Sequence, residues 1–73
     1  MYALFSWPSY YPEGGTHDLI RSGFGTVNEA RDYYKNAHRH KNVGYKTVFE
    51  NYQIVNLRTM TVVEEGDRRA LGL

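Results

Sequence analysis

Seventy-three residues allow one small domain, and 41% hydrophobic with 15% aromatic residues is too apolar a composition for a disordered chain. Zero cysteines exclude a disulfide scaffold, a thiol nucleophile and a cysteine-ligated metal site. Nine Lys and Arg against eight Asp and Glu leave a charge of +1, too little for a broad field that steers nucleic acid or anionic membrane, and no apolar run approaches the ~20 residues of a bilayer span.

No signal-peptide pattern opens the chain, so a soluble cytoplasmic domain is expected. Tyr2–Trp7 is aromatic and apolar and reads as a first strand, stopped by Pro8, with Ala3, Phe5 and Trp7 on one face and Tyr2, Leu4 and Ser6 on the other. Residues 8–16 hold Pro8, Pro12, Gly14 and Gly15 and form a loop that also carries Tyr10 and Tyr11. A weaker strand spans residues 17–24, with Ile20, Ser22 and Phe24 on one face and Gly23 and Gly25 loosening its end. Thr26-Val27-Asn28-Glu29 fits a capping box: the Thr26 hydroxyl accepts from the Glu29 amide and the Glu29 carboxylate reaches back to the Thr26 amide, worth about 1 kcal/mol. The spacing of Val27, Ala30, Tyr34 and Ala37 predicts a helix over residues 27–38, with Tyr33 at the edge of its apolar stripe. Acidic Glu29 and Asp32 early, and basic Lys35, His38 and Arg39 late, suit its dipole.

Residues 40–46 are polar and read as a loop. Residues 47–57 are rich in β-branched and aromatic side chains and predict the clearest strand. Asn56 to Thr59 turns the chain, with Asn56 able to bond its own backbone two residues on, and Met60 to Val63 returns as a short strand. Residues 1–64 then form the domain, and the charged residues 65–73 are expected to be a flexible tail. The order β-β-α-β-β predicts a two-layer α+β domain, an antiparallel sheet covered on one face by the single helix and open on the other.

Little of the chain points to catalysis. His17, His38 and His40 are the only imidazoles, and His38 and His40 flank Arg39 beside Lys41, which repels a cation. His17-Asp18 with Ser6, Ser9 or Ser22 has the residue types of a hydrolase triad but no nucleophile elbow. Glu64 and Glu65 alternate across a strand and cannot act as a pair. Gly25-Thr26 at a helix start offers amides to an anion, as in a small nucleotide-ligand sponge, yet the Walker lysine and the third glycine of a dinucleotide motif are missing. No catalytic, cofactor or metal residue is therefore expected. Arg31, Lys35, Arg39, Lys41 and Lys46, interleaved with Tyr33, Tyr34 and Tyr45, make a basic band that would suit single-stranded nucleic acid. Seven tyrosines, one tryptophan and three phenylalanines exceed what so small an interior can hide. Trp7, Tyr10, Tyr11 and Arg21 around the first loop are the residue types that dominate protein interfaces, and they are the expected protein-binding set.

Tyr2-Ala3-Leu4-Phe5, Tyr10-Tyr11-Pro12, Gly14-Gly15, Asp18-Leu19, Phe24, Thr26, Glu29-Ala30 and Tyr52-Gln53-Ile54-Val55-Asn56-Leu57 follow one another in a characteristic order. In that order the chain resembles small uncharacterised accessory proteins of tailed bacteriophages and prophages, over about residues 2–63. Their usual pattern has Thr-Gly in the last hairpin, where this chain has Thr59-Met60. The resemblance implies a phage setting, in which many such proteins bind and block a host enzyme or defence complex. It implies no catalytic residues. The expectation is a non-enzymatic inhibitor that occludes a host protein through the 8–16 loop and an exposed sheet face or edge. The same edges would serve a homodimer, and nucleic acid is the alternative partner.

Overall fold

Residues 1–8, 18–40 and 47–73 are described in the computed structural model of the chain. Four strands, β1 (Tyr2–Trp7), β2 (Leu19–Phe24), β3 (Asn51–Asn56) and β4 (Thr61–Asp67), form one antiparallel sheet in the order β2-β1-β3-β4. A single helix, α1 (Val27–Arg39), packs on β1, β2 and β3 from one side. This is the two-layer α+β domain that the sequence predicts.

Alternation along β1 decides which side chains meet the helix. Leu4 lies opposite Ile54, and Ser6 opposite Tyr52, all buried. With Ile20, Phe24, Ala30 and Tyr34 the three large members of that set make the core, and Tyr2, Val27, Tyr33 and Val48 pack around it. Each fully buried aliphatic or aromatic chain contributes about 1.5–3 kcal/mol. Ala30 and Ala37 are the small residues on the buried stripe of α1 and let it lie close to the sheet. Thr26 caps the helix, its Oγ1 accepting from the Glu29 amide at 3.1 Å. The Glu29 carboxylate reaches one residue further back than expected and accepts from the Gly25 amide at 3.0 Å.

Three stretches depart from the sequence expectation. In β2 the pairing with β1 slips twice, and Gly23 takes a positive φ of 88° that favours glycine. The bulge keeps Ile20 and Phe24 inside but turns Ser22 out to solvent. β3 starts at Asn51 rather than at Thr47, because Trp7 is the last residue of β1 and Asp67 the last of β4, and both oppose Asn51. Residues before it have no strand beside them, so side chains bond much of their backbone, while the Arg68 amide donates to the Glu50 carbonyl at 2.7 Å. The Phe49 amide donates to Ser6 Oγ at 2.8 Å, and Ser6 Oγ donates to the Asn51 carbonyl at 2.7 Å. The Tyr34 hydroxyl lies 2.6 Å from the Phe49 carbonyl and 2.9 Å from that of Glu50.

The third departure concerns residues 65–73, expected as a charged tail. β4 runs on to Asp67 because β3 offers residues 64–67 partners: Glu64 opposes Ile54, Glu65 Gln53, Gly66 Tyr52 and Asp67 Asn51, after a shift in register at Val63. Pairing overrides the poor strand propensity of Glu, Gly and Asp. A 3-10 helix (Arg68–Leu71) follows, capped by Asp67 Oδ1, which accepts from the Ala70 amide at 3.0 Å. Leu71 and Leu73 pack against the core.

Asn56 Oδ1 accepts from the Arg58 amide at 2.9 Å, as its place in the β3–β4 turn predicts. Met60 closes that turn at φ 56°, with its side chain 73% exposed. A left-handed methionine this exposed carries a backbone cost with little burial to offset it. Met60→Gly is therefore expected to stabilise the chain by about 0.5–1 kcal/mol, net of the greater entropy of an unfolded glycine. Equilibrium urea denaturation checks this, and a loss of stability would contradict it.

Candidate functional site

The face of the sheet turned away from α1 is built by the other half of the same alternation. Ala3, Phe5 and Trp7 of β1 lie beside Val55, Gln53 and Asn51 of β3. Leu19 of β2 opposes Phe5, while Val62, Glu65 and Asp67 of β4 oppose Val55, Gln53 and Asn51. Ala3, in the central strand, is buried by its neighbours. Phe5, Trp7, Leu19 and Val55 are half-buried, Val62 and Val63 are exposed, and none of these residues belongs to the helix-side core. Among the described residues no helix covers this face. Gln53 Nε2 donates to Glu65 Oε2 at 3.1 Å, and Asn51 Nδ2 donates to the Trp7 carbonyl at 3.3 Å. At the Trp7 end a shallow groove is shared by Trp7, Asn51, Glu65 and Asp67.

Of the four residues expected to bind protein, Trp7 lies on this face. Tyr10 and Tyr11 fall outside the described residues. Arg21 opposes Leu4 and turns to the helix side, its guanidinium 5.8 Å from the Phe24 ring centroid and 5.5 Å from that of Tyr33. Those two rings meet edge-on at 5.6 Å. These two contacts place the exposed Arg21 on the helix side, on the opposite side of the sheet from Trp7. Phe5 and Val55 are the surface members that residue type alone does not single out. Strand alternation does place Phe5 with Trp7.

The basic band is broken at its start. Arg31 Nε donates to Glu64 Oε2 at 2.9 Å, its Nη2 bonds Glu64 Oε1, and its Nη1 donates to Asn28 Oδ1 at 2.7 Å. Lys35 is half-buried on α1 and Arg39 is exposed at its end, while Lys41 and Lys46 lie outside the described residues. Arg31 thus ties α1 to β4. Of the two amides expected to be offered to an anion, those of Gly25 and Thr26, that of Gly25 is taken by the Glu29 carboxylate. Ser6 is buried and bonded to backbone, and Ser9 and His17 lie outside the described residues. No group of three His, Asp or Glu among the described residues is arranged to hold a metal.

Glu64 also accepts from the Tyr52 hydroxyl at 2.7 Å, and the Tyr52 ring lies 4.5 Å from that of Tyr34. The Arg31 hydrogen bonds hold the Glu64 carboxyl below its ordinary 4.5, with help from Tyr52 and against its partial burial. Burial pushes both Tyr34 and Tyr52 well above the ordinary 10, and the bond to Glu64 adds to the rise at Tyr52. Each raised tyrosine contributes stability that is complete below pH 10 and lost above it, as the unfolded chain releases protons the folded chain keeps. Each should steepen the loss by about 1.4 kcal/mol per pH unit above 10. Glu64, depressed when folded, contributes stability present above pH 4.5 and lost as pH falls below it. Urea unfolding from pH 9 to 11.5 is expected to show this slope reduced by one tyrosine's share in Tyr52→Phe. An unchanged slope would contradict the arrangement.

No described helix is long and apolar enough to cross a membrane. The family model described as Bacteriophage T4 protein Y07C matches residues 2–66, from the first residue of β1 to the last but one of β4. Neither the curated proteins nor the solved structures contain a match.

Proposed function

This chain belongs to the bacteriophage T4 protein Y07C family, and on that footing we propose a phage-encoded accessory protein that binds a host protein and blocks it by occlusion, without chemistry of its own. The carrying observation is the sheet face opposite α1, where Phe5 and Trp7 stand half-exposed between Leu19, Val55 and Val62 with no described helix over them. An apolar face with half-exposed aromatic anchors is an arrangement from which binding energy arises, since the rings displace water and their neighbours exclude it.

Four strands about 4.8 Å apart and six residues of about 3.4 Å each give a face of about 400 Å². Stable interfaces cover about 800 Å² per partner. The contact therefore extends over the β3–β4 hairpin, where Met60, Val62 and Val63 are exposed. A second copy of the chain is a poorer occupant of the β4 edge, because Glu64, Glu65 and Asp67 fall within its seven residues and like charges oppose self-pairing. The site of action would be the host cytoplasm.

A pull-down with tagged chain from host lysate, with and without nuclease, tests this reading. One stoichiometric protein that survives nuclease and is lost with Trp7→Ala is expected. Salt-labile retention of nucleic acid, or capture indifferent to Trp7→Ala, would overturn it.

A further inference from the structure

The far face of the sheet is uneven in charge as well as apolar. Its described charged groups are the carboxylates of Glu65 and Asp67, one row apart on β4. Arg31, Lys35 and Arg39 stand on α1 across the sheet, and Arg21 lies over the helix-side rings. Arg68 and Arg69 follow Asp67 in the 3-10 helix, so the negative character of the face centres on Glu65. The described partner of Glu65 is the uncharged Gln53 amide, and Asp67 accepts from the Ala70 amide. Neither carboxylate has a cation within salt-bridge reach among the described residues, whereas Glu64, which faces the helix, is bonded twice by Arg31. Trp7 lines the same groove as these two carboxylates, across Asn51 of β3. Tryptophan is the aromatic side chain that best attracts a cation.

We infer that the partner segment this face receives is basic and extended. Aliphatic side chains would meet Phe5, Val55 and Val62, and an arginine or lysine would lie between the Trp7 ring and the Glu65 and Asp67 carboxylates. This rests on the reading of the face as a protein-binding surface and adds the chemistry of what binds. Guanidinium suits the site best, because it stacks flat on a ring while forking onto a carboxylate. Association is expected to quicken as salt is lowered, since rim charges act chiefly on the encounter rate.

Trp7 is the only tryptophan, so its fluorescence reports from this face alone. The probes are a blocked hexapeptide, Val-Ser-Val-Ser-Arg-Ser, whose valines and arginine share one side when extended, and its counterpart with glutamate in place of arginine. The arginine peptide is expected to change Trp7 emission saturably and the glutamate peptide to leave it unchanged. Glu65→Gln should weaken the arginine peptide about threefold and Glu65→Lys about tenfold, each with unaltered circular dichroism. Equal responses to the two peptides, or wild-type titration by Glu65→Lys, would overturn the inference. The pull-down separates the two failures. A host protein lost with Trp7→Ala but retained by Glu65→Lys leaves the binding surface standing and removes its basic partner. Capture that ignores Trp7→Ala removes both.

Discussion

Replacing Tyr34 by alanine is expected to cost about 4 kcal/mol and to leave much of the chain unfolded at 25 °C. A chain of 73 residues has about 4–11 kcal/mol of stability in all. Tyr34 is fully buried at the centre of the helix-side core, packed on Tyr52 at 4.5 Å and edge-on to His38 at 4.6 Å. Truncating a buried aromatic ring usually costs about 3–5 kcal/mol, because the surroundings collapse only partly into the space. The hydroxyl has a second role, since it lies within bonding distance of the carbonyls of Phe49 and Glu50, just before β3 begins. Tyr34→Phe removes only that contact and should cost about 1–2 kcal/mol. Urea unfolding followed by circular dichroism distinguishes the two. Equal costs for Ala and Phe would mean that the ring carries no packing, contrary to its position.

Trp7→Ala is expected to do the reverse, sparing the fold and abolishing partner capture. Half-buried and outside the core cluster, Trp7 should cost less than about 1 kcal/mol of stability when truncated. A tryptophan anchor in an interface is worth about 2–4 kcal/mol, which is roughly a 30- to 1000-fold loss of affinity. Arg21→Ala is the instructive companion. The sequence groups Arg21 with Trp7, but its guanidinium lies over Phe24 and Tyr33, so its loss should lower stability slightly and leave capture intact. Affinity lost with Arg21→Ala and kept with Trp7→Ala would place the binding surface on the helix side.

Local rules were enough for much of the architecture. The 3.6-residue spacing of Ala30, Tyr34 and Ala37 identifies the buried stripe of α1, and Thr26 with Glu29 marks where the helix begins. Alternation in Tyr2–Trp7 sorts the two faces of β1 correctly, but it does not say which one meets the helix. That choice depends on Ile54 and Tyr52 arriving beside Leu4 and Ser6 from nearly fifty residues away. Where pairing partners decide, composition misleads. The β-rich residues 47–50 lack a neighbouring strand, whereas the acidic residues 64–67 have one and extend β4. The candidate surface divides in the same way. Trp7 is legible as an aromatic that a small interior cannot hide. The diversion of Arg31 to Glu64, 33 residues on, and of Arg21 onto the helix-side rings, depends on long-range packing that no local pattern encodes.

Accessibility of Trp7 to a neutral quencher, measured in the free chain and again in the captured complex, bears most directly on the binding surface. Acrylamide is expected to quench the free chain readily and the complex poorly. A tryptophan already shielded in the free chain, or one equally open in both, would contradict a working surface on the far side of the sheet.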